Sequence, residues 1–358
     1  MSRLRLPFAA LLFVCAALAQ NQAVMMRAPY RAVPSVAVPP DPNEPVTGVI
    51  ETLTAQPDRS NALAMMVRAR KPQQLHTATI PPFQLVATFT STAGSGSMTE
   101  TRMGGQKWNW SGNVGNDSAV RVGPEGLRYG SPNGGAIPPT VHVLRNAIFW
   151  AAAGVPDANA SIRSSAVIWN GKPSTCLLFG PGHGEPPEGA RSWEEEEYCV
   201  DDASGQLQVH SFVPGTYVNY SYNTAQFHGR ALPSGITIYA GGKKVLDAQL
   251  TMSDPGSPDD SLFTPTEQMR SYGPVGQGVG NSRMIWINAS ASVSDAAAKP
   301  VIVHASVDGQ GTVVAEELSI ASDPSLAQTA LDLVKNRPFP PNGDIREIYV
   351  EVRFVAEQ

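Results

Sequence analysis

From Phe83 onward hydrophobic and polar residues take turns. Phe83, Leu85, Ala87 and Phe89 share one face of an extended segment, with Gln84, Val86 and Thr88 on the other, the period of two that marks a half-buried strand. Comparable segments follow at Lys107–Ser111, Ala119–Gly123, Leu127–Tyr129, Ser161–Trp169, Thr175–Phe179, Trp193–Val200, Leu207–Val213, Tyr217–Tyr222, Ile236–Tyr239 and Val245–Met252. Turn formers separate them (Asn116-Asp117, Pro132-Asn133-Gly134-Gly135, Ser204-Gly205, Gly241-Gly242), which predicts an antiparallel meander. A short helix over Asn61–Arg70, from Leu63, Met66 and Val67, precedes the pattern, and one helix interrupts it, with Val141, Leu144, Arg145, Ile148 and Phe149 on its inner face.

Near the end the pattern changes again. Val301, Val303, Ala305 and Val307 alternate with Ile302, His304 and Ser306 before Asp308-Gly309, a dipeptide suited to hairpin turns, leads into a strand over Thr312–Ile320. Asp323 suits a helix N-cap and Pro324 its first turn. Leu326, Ala330, Leu333 and Val334 form the expected buried face, Lys335 and Arg337 complement the helix dipole, and Pro338 stops the helix. In the last strand Ile348, Val350, Val352 and Phe354 point inward, and Tyr349, Glu351 and Arg353 outward. The fold class is therefore mainly β with some helix: a large antiparallel sheet domain over residues 46–270, then a small ββαβ domain over residues 284–358.

The segments outside these patterns set the context. Arg3 and Arg5 precede a thirteen-residue apolar run, Leu6–Leu18, with small residues at its exit, the mark of a secretory signal peptide over residues 1–19. As a helix the run would span about 20 Å, short of the roughly 30 Å membrane core. Cys15 follows Val14 rather than a small residue, against lipidation. Residues 20–45, with Pro29, Pro34, Pro39, Pro40, Pro42 and Pro45, read as an extended leader, and residues 271–283, with Gly273, Gly276, Gly278 and Gly280, as a linker. The linker lacks the Lys-Ser or Lys-Thr of a phosphate-binding loop. Export leaves Cys176 and Cys199 as an even pair, which points to a disulfide worth roughly 3 kcal/mol; two buried thiols are the alternative. A formal net charge of −5 argues against nucleic acid as a partner.

The ββαβ order, Val307-Asp308-Gly309 in the first turn, the Ser322-Asp323-Pro324-Ser325-Leu326 helix entry and Arg337-Pro338-Phe339-Pro340-Pro341 before the last strand resemble the C-terminal domain of the TonB family, over about Lys299–Phe354. Arg337-Pro338 departs from the aromatic usual there. The resemblance implies a module that pairs an exposed strand with an extended peptide of an envelope protein, making Tyr349, Glu351 and Arg353 the partner-strand candidates. Upstream, Pro82-Phe83, Tyr198-Cys199-Val200-Asp201, Gly205-Gln206-Leu207 and Asp260-Ser261-Leu262-Phe263 look like the lipoprotein-carrier (LolA-like) half-barrels. That likeness implies a concave sheet covered by helices, able to take a lipid or acyl chain.

Catalytic signals are weak. His183 and Glu185 lie together in a loop without further metal ligands at fixed spacing. Glu194–Glu197 reads as a charged strand edge, and His76, His142, His210, His228 and His304 are scattered singly, His304 on the exposed side of its strand. No nucleophile elbow is present. No catalytic, cofactor-binding or metal-ligating residue is assigned, and no cofactor is expected. The expectation is a non-catalytic periplasmic binding or interaction protein; the alternatives are a TonB-type energy transducer with an uncleaved inner-membrane anchor, and a hydrolase using His183. Sequencing the N-terminus of the protein made in a bacterial host separates the first two: the mature chain should begin near Gln20, and recovery of the intact chain in the inner membrane would support the transducer instead.

Overall fold

The alternating segments become strands, and nearly all of them join one sheet. The computed structural model describes residues 37–38, 49–75, 80–104, 107–124, 127–130, 139–149, 151, 160–180, 191–192, 195–213, 215–274, 284–291, 301–321, 324–341 and 346–356. In chain order the elements are β1 (Ala37–Val38), β2 (Glu51–Thr52), α1 (Gln56–Arg70), β3 (Phe83–Ser91), β4 (Gly94–Arg102), β5 (Trp108–Val114), β6 (Asp117–Gly123), β7 (Leu127–Gly130) and α2 (Pro139–Phe149). Then come β8 (Ser161–Trp169), β9 (Lys172–Gly180), β10 (Arg191–Ser192), β11 (Glu196–Asp201), β12 (Leu207–Val213), β13 (Thr216–Ser221), β14 (Gly235–Ala240), β15 (Lys243–Ser253) and β16 (Arg270–Pro274). The C-terminal part holds β17 (Met284–Ala291), β18 (Val301–Val307), β19 (Val313–Ala321), α3 (Ala327–Lys335) and β20 (Arg346–Ala356).

Among the described residues the large sheet has fourteen strands in the order β16-β7-β6-β5-β4-β3-β15-β14-β13-β12-β11-β9-β8-β2, is antiparallel, and is not closed into a barrel. Tight hairpins set its register. Gly241 and Gly242, with φ of 55° and 73°, supply the left-handed pair that the β14–β15 turn requires. Near one end the sheet curls steeply. Trp169 of β8 donates from Nε1 to Asn219 Oδ1 of β13 at 3.2 Å, and its ring lies 6.3 Å from Tyr217. Three strands intervene, so a flat sheet would hold them about 19 Å apart. Because β16 belongs to this sheet, the first residues of the expected Gly-rich linker are a strand.

Helices α1 and α2 cover one face. Their buried Ala62, Met66 and Ala69, and Val141, Leu144, Ile148 and Phe149, join one core with Phe83, Leu85, Ala87, Phe89, Trp110, Tyr198, Val218 and Ile236 of the sheet. Helix α1 begins five residues earlier than its apolar period suggested. Gln56–Ser60 carries no such period, and Pro57 is tolerated in the first turn. Val67, expected on its inner face, is 57% exposed, because the buried row is Ala62, Met66 and Ala69. In α2, Val143 and Ala147 are buried as well. A helix apolar around most of its circumference needs neighbours on more than one side, and α2 also packs on β18, β19 and β20.

Those strands belong to a four-stranded sheet of order β17-β20-β18-β19. Its inner face, Val301, Val303, Ala305, Val307, Val350 and Val352, packs on Ala330 and Val334 of α3. Leu333, expected to be buried, is 38% exposed, and Asp323 lies outside the described residues. The β18–β19 turn is longer than the Asp-Gly pattern implied. Asp308 N–H donates to Thr312 C=O at 2.9 Å, and Asp308 Oδ1 accepts from the amides of Gln310 and Thr312 at 2.9 Å each. Its left-handed residue is Gly311, φ 91°, whose carbonyl accepts from Phe339 N–H at 2.8 Å.

A methyl on Gly311 would overlap the carbonyl oxygen of Phe339. Left-handed backbone costs a non-glycine residue about 1–3 kcal/mol, so Gly311→Ala should lower stability by at least about 2 kcal/mol. Urea unfolding checks this; an unchanged midpoint would contradict the turn geometry.

Candidate functional site

Where the sheet meets α2, its apolar face carries charge. Glu100 on β4 is fully buried. Register sets it in a cross-strand row: Leu85 on one side, Trp110 on the other, and Arg121 beyond Trp110. Arg102 and Trp108 pair in the next row but one, where Trp108 lies flat on the bare backbone of Gly123. From above, Arg145 of α2 reaches down. Its Nε donates to Glu100 Oε2 at 2.8 Å and its Nη2 to Oε1 at 3.2 Å, while Arg102 donates to Oε1 from Nε at 2.7 Å.

Three guanidinium groups therefore lie against one aromatic panel. Arg102 is 5.0 Å from the Phe149 ring centre and 5.8 Å from that of Trp108; Arg145 is 5.3 Å from Trp108, 5.4 Å from Phe149 and 6.0 Å from Trp110; Arg121 is 5.0 Å from Trp110. Guanidinium is weakly hydrated and planar, so it tolerates such faces better than an ammonium would. Burial by itself would raise the Glu100 pKa, but the charges of Arg145 and Arg102 and their hydrogen bonds outweigh it and hold the carboxyl below its usual value. For Arg102 the balance is the reverse: burial lowers its pKa, Glu100 opposes that, and the like charge of Arg145 adds to the lowering.

A second charged network fills the opposite face. Arg163 of β8 grips Glu195 with two donors, Nε to Oε1 at 2.7 Å and Nη2 to Oε2. Arg191 of β10 donates to the carbonyls of Glu195 at 2.7 Å and Ser211 at 2.8 Å, to Ser211 Oγ at 2.6 Å, and to Glu197 Oε2 at 3.1 Å. Two carboxylates thus meet two guanidiniums. The glutamate run is therefore not an exposed edge: β11 lies between β9 and β12, and Glu195 and Glu197 are buried. Glu194 lies outside the described residues. Beside this network Cys176 and Cys199, directly paired across β9 and β11, form a disulfide.

The remaining candidates disperse. His183, Glu185 and His76 lie outside the described residues. His142 is on α2, and His228 meets Asp254 at 2.8 Å on the surface. His210 is buried and stacked on Tyr198 at 4.3 Å, and burial pulls its pKa down. His304, expected to be exposed, is buried because α2 covers that side of the small sheet. Its Nδ1 lies 2.8 Å from Glu317 Oε1, which also accepts from Thr140 of α2, and its ring stacks on Tyr349 at 4.5 Å. The partner-strand candidates Tyr349, Glu351 and Arg353 need correction too. They sit on β20, which pairs with β18 on one side and in parallel with β17 on the other, so its backbone is not an open edge. Periodicity separated Tyr349 and Glu351 from the inner face, but it carried no sign that a helix from the first domain would cover them.

No protein-family model and no curated protein matches the chain. Solved structures do. A LolA superfamily protein from Nitrosomonas europaea aligns at 10% identity and a TM-score of 0.36, over 57% of this chain and 97% of that one. A DUF1329 family protein from Desulfovibrio piger aligns at 7% and 0.35, over 57% and 96%. MucB aligns at 13% and 0.26, over 60% and 66%. Likeness at this level carries nothing beyond itself; the TonB resemblance finds no counterpart among these neighbours.

Glu100 gives a test with a definite sign. Its folded pKa is depressed, so the stability it contributes is present above about pH 4.5, its ordinary value, and is lost as pH falls through the folded value. Removing one partner of a buried ion pair costs about 3–5 kcal/mol. Glu100→Gln should be destabilised by about that much at pH 7, with the gap to wild type narrowing as pH is lowered. Denaturant unfolding at several pH values measures it, and a gap independent of pH would show that the carboxylate is not held ionised by its arginines.

Proposed function

We propose that this chain is a non-catalytic, exported binding protein of the cell envelope whose helix-covered sheet face takes an apolar ligand. One observation carries the reading: α1 and α2 close off a broad apolar face of an unclosed sheet, and a charged cluster stands on that face. A core built only for stability gains little from buried ions, since hydrophobic residues of the same volume serve as well or better. An apolar ligand exchanges one set of apolar contacts for another, so displacing a short covering helix toward it need not expose much surface to water.

The export signal and the Cys176–Cys199 disulfide suit an oxidising compartment. Among the described residues no helix is long and apolar enough to cross a membrane. Contact with an extended peptide belongs to the same proposal, moved from β20 to β19, which among the described strands pairs with β18 alone and exposes Leu318.

Native mass spectrometry of the full chain purified from its own host is the direct test. A bound mass of several hundred daltons, removed by organic extraction and identified as lipid, is the expected result. A bare polypeptide mass, together with failure of the extracted protein to take up fatty acids or lysophospholipids, would sink the ligand reading.

A further inference from the structure

The two buried ion networks are built differently. On the outer face Arg163 pairs with Glu195 and Arg191 with Glu197. On the helix-covered face Arg102 and Arg145 share the single carboxylate of Glu100, and Arg121 stacks beside them on Trp110. Among the described residues one carboxylate serves these two guanidiniums, which leaves a surplus positive charge in a largely desolvated place, where an incompletely compensated ion is costly.

Access is the second element. The Glu100 side chain is sealed, but Arg145 keeps 13% of its side-chain surface, and Arg121 is only half-buried. Arg145, which shares Glu100 with Arg102, therefore stands at the margin of the cluster, backed by Trp108, Trp110 and Phe149. A planar guanidinium fork matches phosphate or carboxylate oxygens, and the aromatic panel behind it excludes water and strengthens the pairing.

We propose that Arg145, supported by Arg102 and Arg121 over Trp108 and Trp110, forms a binding site for the anionic phosphate group of an amphipathic ligand. The site rests on the apolar-ligand reading above for the ligand's tail and deepens it by naming its head. Glu100 then has a second role. It occupies the guanidiniums in the unliganded protein and competes with the incoming anion, so that the arginines remain in place without a ligand.

The test titrates dodecyl phosphate, dodecanol and inorganic phosphate into the full, disulfide-intact chain, read by calorimetry and by the fluorescence of the protein's tryptophans. Dodecyl phosphate should bind at least about tenfold more tightly than dodecanol, the worth of one good charge-assisted contact. Arg145→Gln should erase that preference. Glu100→Gln, which removes the competing carboxylate, should tighten dodecyl phosphate binding. If Glu100→Gln does not fold, Arg145→Lys decides in its place: a point charge without the fork should weaken dodecyl phosphate binding by about fivefold, and unchanged affinity overturns the proposal. Equal affinity for dodecanol and dodecyl phosphate overturns it, as does a preference that survives Arg145→Gln or a Glu100→Gln protein that binds no tighter. The two readings fail separately. Inorganic phosphate bound as tightly as dodecyl phosphate, and lost in Arg145→Gln, keeps the anion site and removes the apolar ligand; binding of neither phosphate removes the anion site.

Discussion

Helix α2 has to satisfy two sheets at once, and the arrangement of the molecule follows from that constraint. Toward the large sheet it presents Val141, Leu144, Ile148 and Phe149 to the core and Arg145 to Glu100. Toward the small sheet it supplies Thr140 to Glu317, the carboxylate that also holds His304. The small sheet meets the large one again where Thr216 and Ser319 hydroxyls lie 2.6 Å apart. These polar contacts do little for stability singly, since a hydrogen bond contributes only about 0.5–1.5 kcal/mol net. What they fix is registry: an apolar helix face can slide, whereas Glu100 and Glu317 each accept their partners in one position.

This coupling explains why both faces of β18 are buried. Val301, Val303, Ala305 and Val307 pack on the α3 side, while Ile302, His304 and Ser306 of the same strand are equally inaccessible. An isolated ββαβ module would wet that second face. Here it is an internal interface, so the polar positions that alternation assigned to solvent do structural work against the first domain. The same packing removes β20 as a recruiting edge, since β17, from the start of the C-terminal segment, has already taken the place beside it.

Local order was legible in the chain and pairing at a distance was not. Alternation in Phe83–Phe89 marked a strand because one face is buried and the other partly wet. The inner face of α2 was visible from Val141 and Leu144, and the hairpins from their turn residues. The glutamate run misled because its reading depends on Arg163 and Arg191, which no local pattern connects to it. The parallel pairing of β17 with β20 was hidden for the same reason: nothing in Met284–Ala291 says which strand it will join. As for the candidate site, Arg145 was read as part of the α2 face, but Glu100 and Arg102 lie on β4, whose Gly, Ser and Thr residues carry no apolar alternation and which the sequence pattern did not mark as a strand. Only the register that places them beside Trp108 and Trp110 turns them into a cluster.

The contrast between the two ion networks bears on which of them is structural. Around Arg191 backbone takes a large part: two carbonyls, together with a serine hydroxyl and a carboxylate, converge on one guanidinium. Such a node ties β10 and Glu195 to the sheet and, through the β1–β10 pairing, Ala37–Val38 with them. Around Glu100 no backbone carbonyl takes part in the described contacts; side chains meet side chains across rings. Stacked guanidiniums can pivot on an aromatic face at small cost, because the attraction to the ring varies slowly with position. A network anchored on carbonyls must break to change, whereas one resting on rings can exchange its carboxylate for another anion and keep its packing. That difference in mechanical character favours the inner network over the outer one as the place for the proposed ligand.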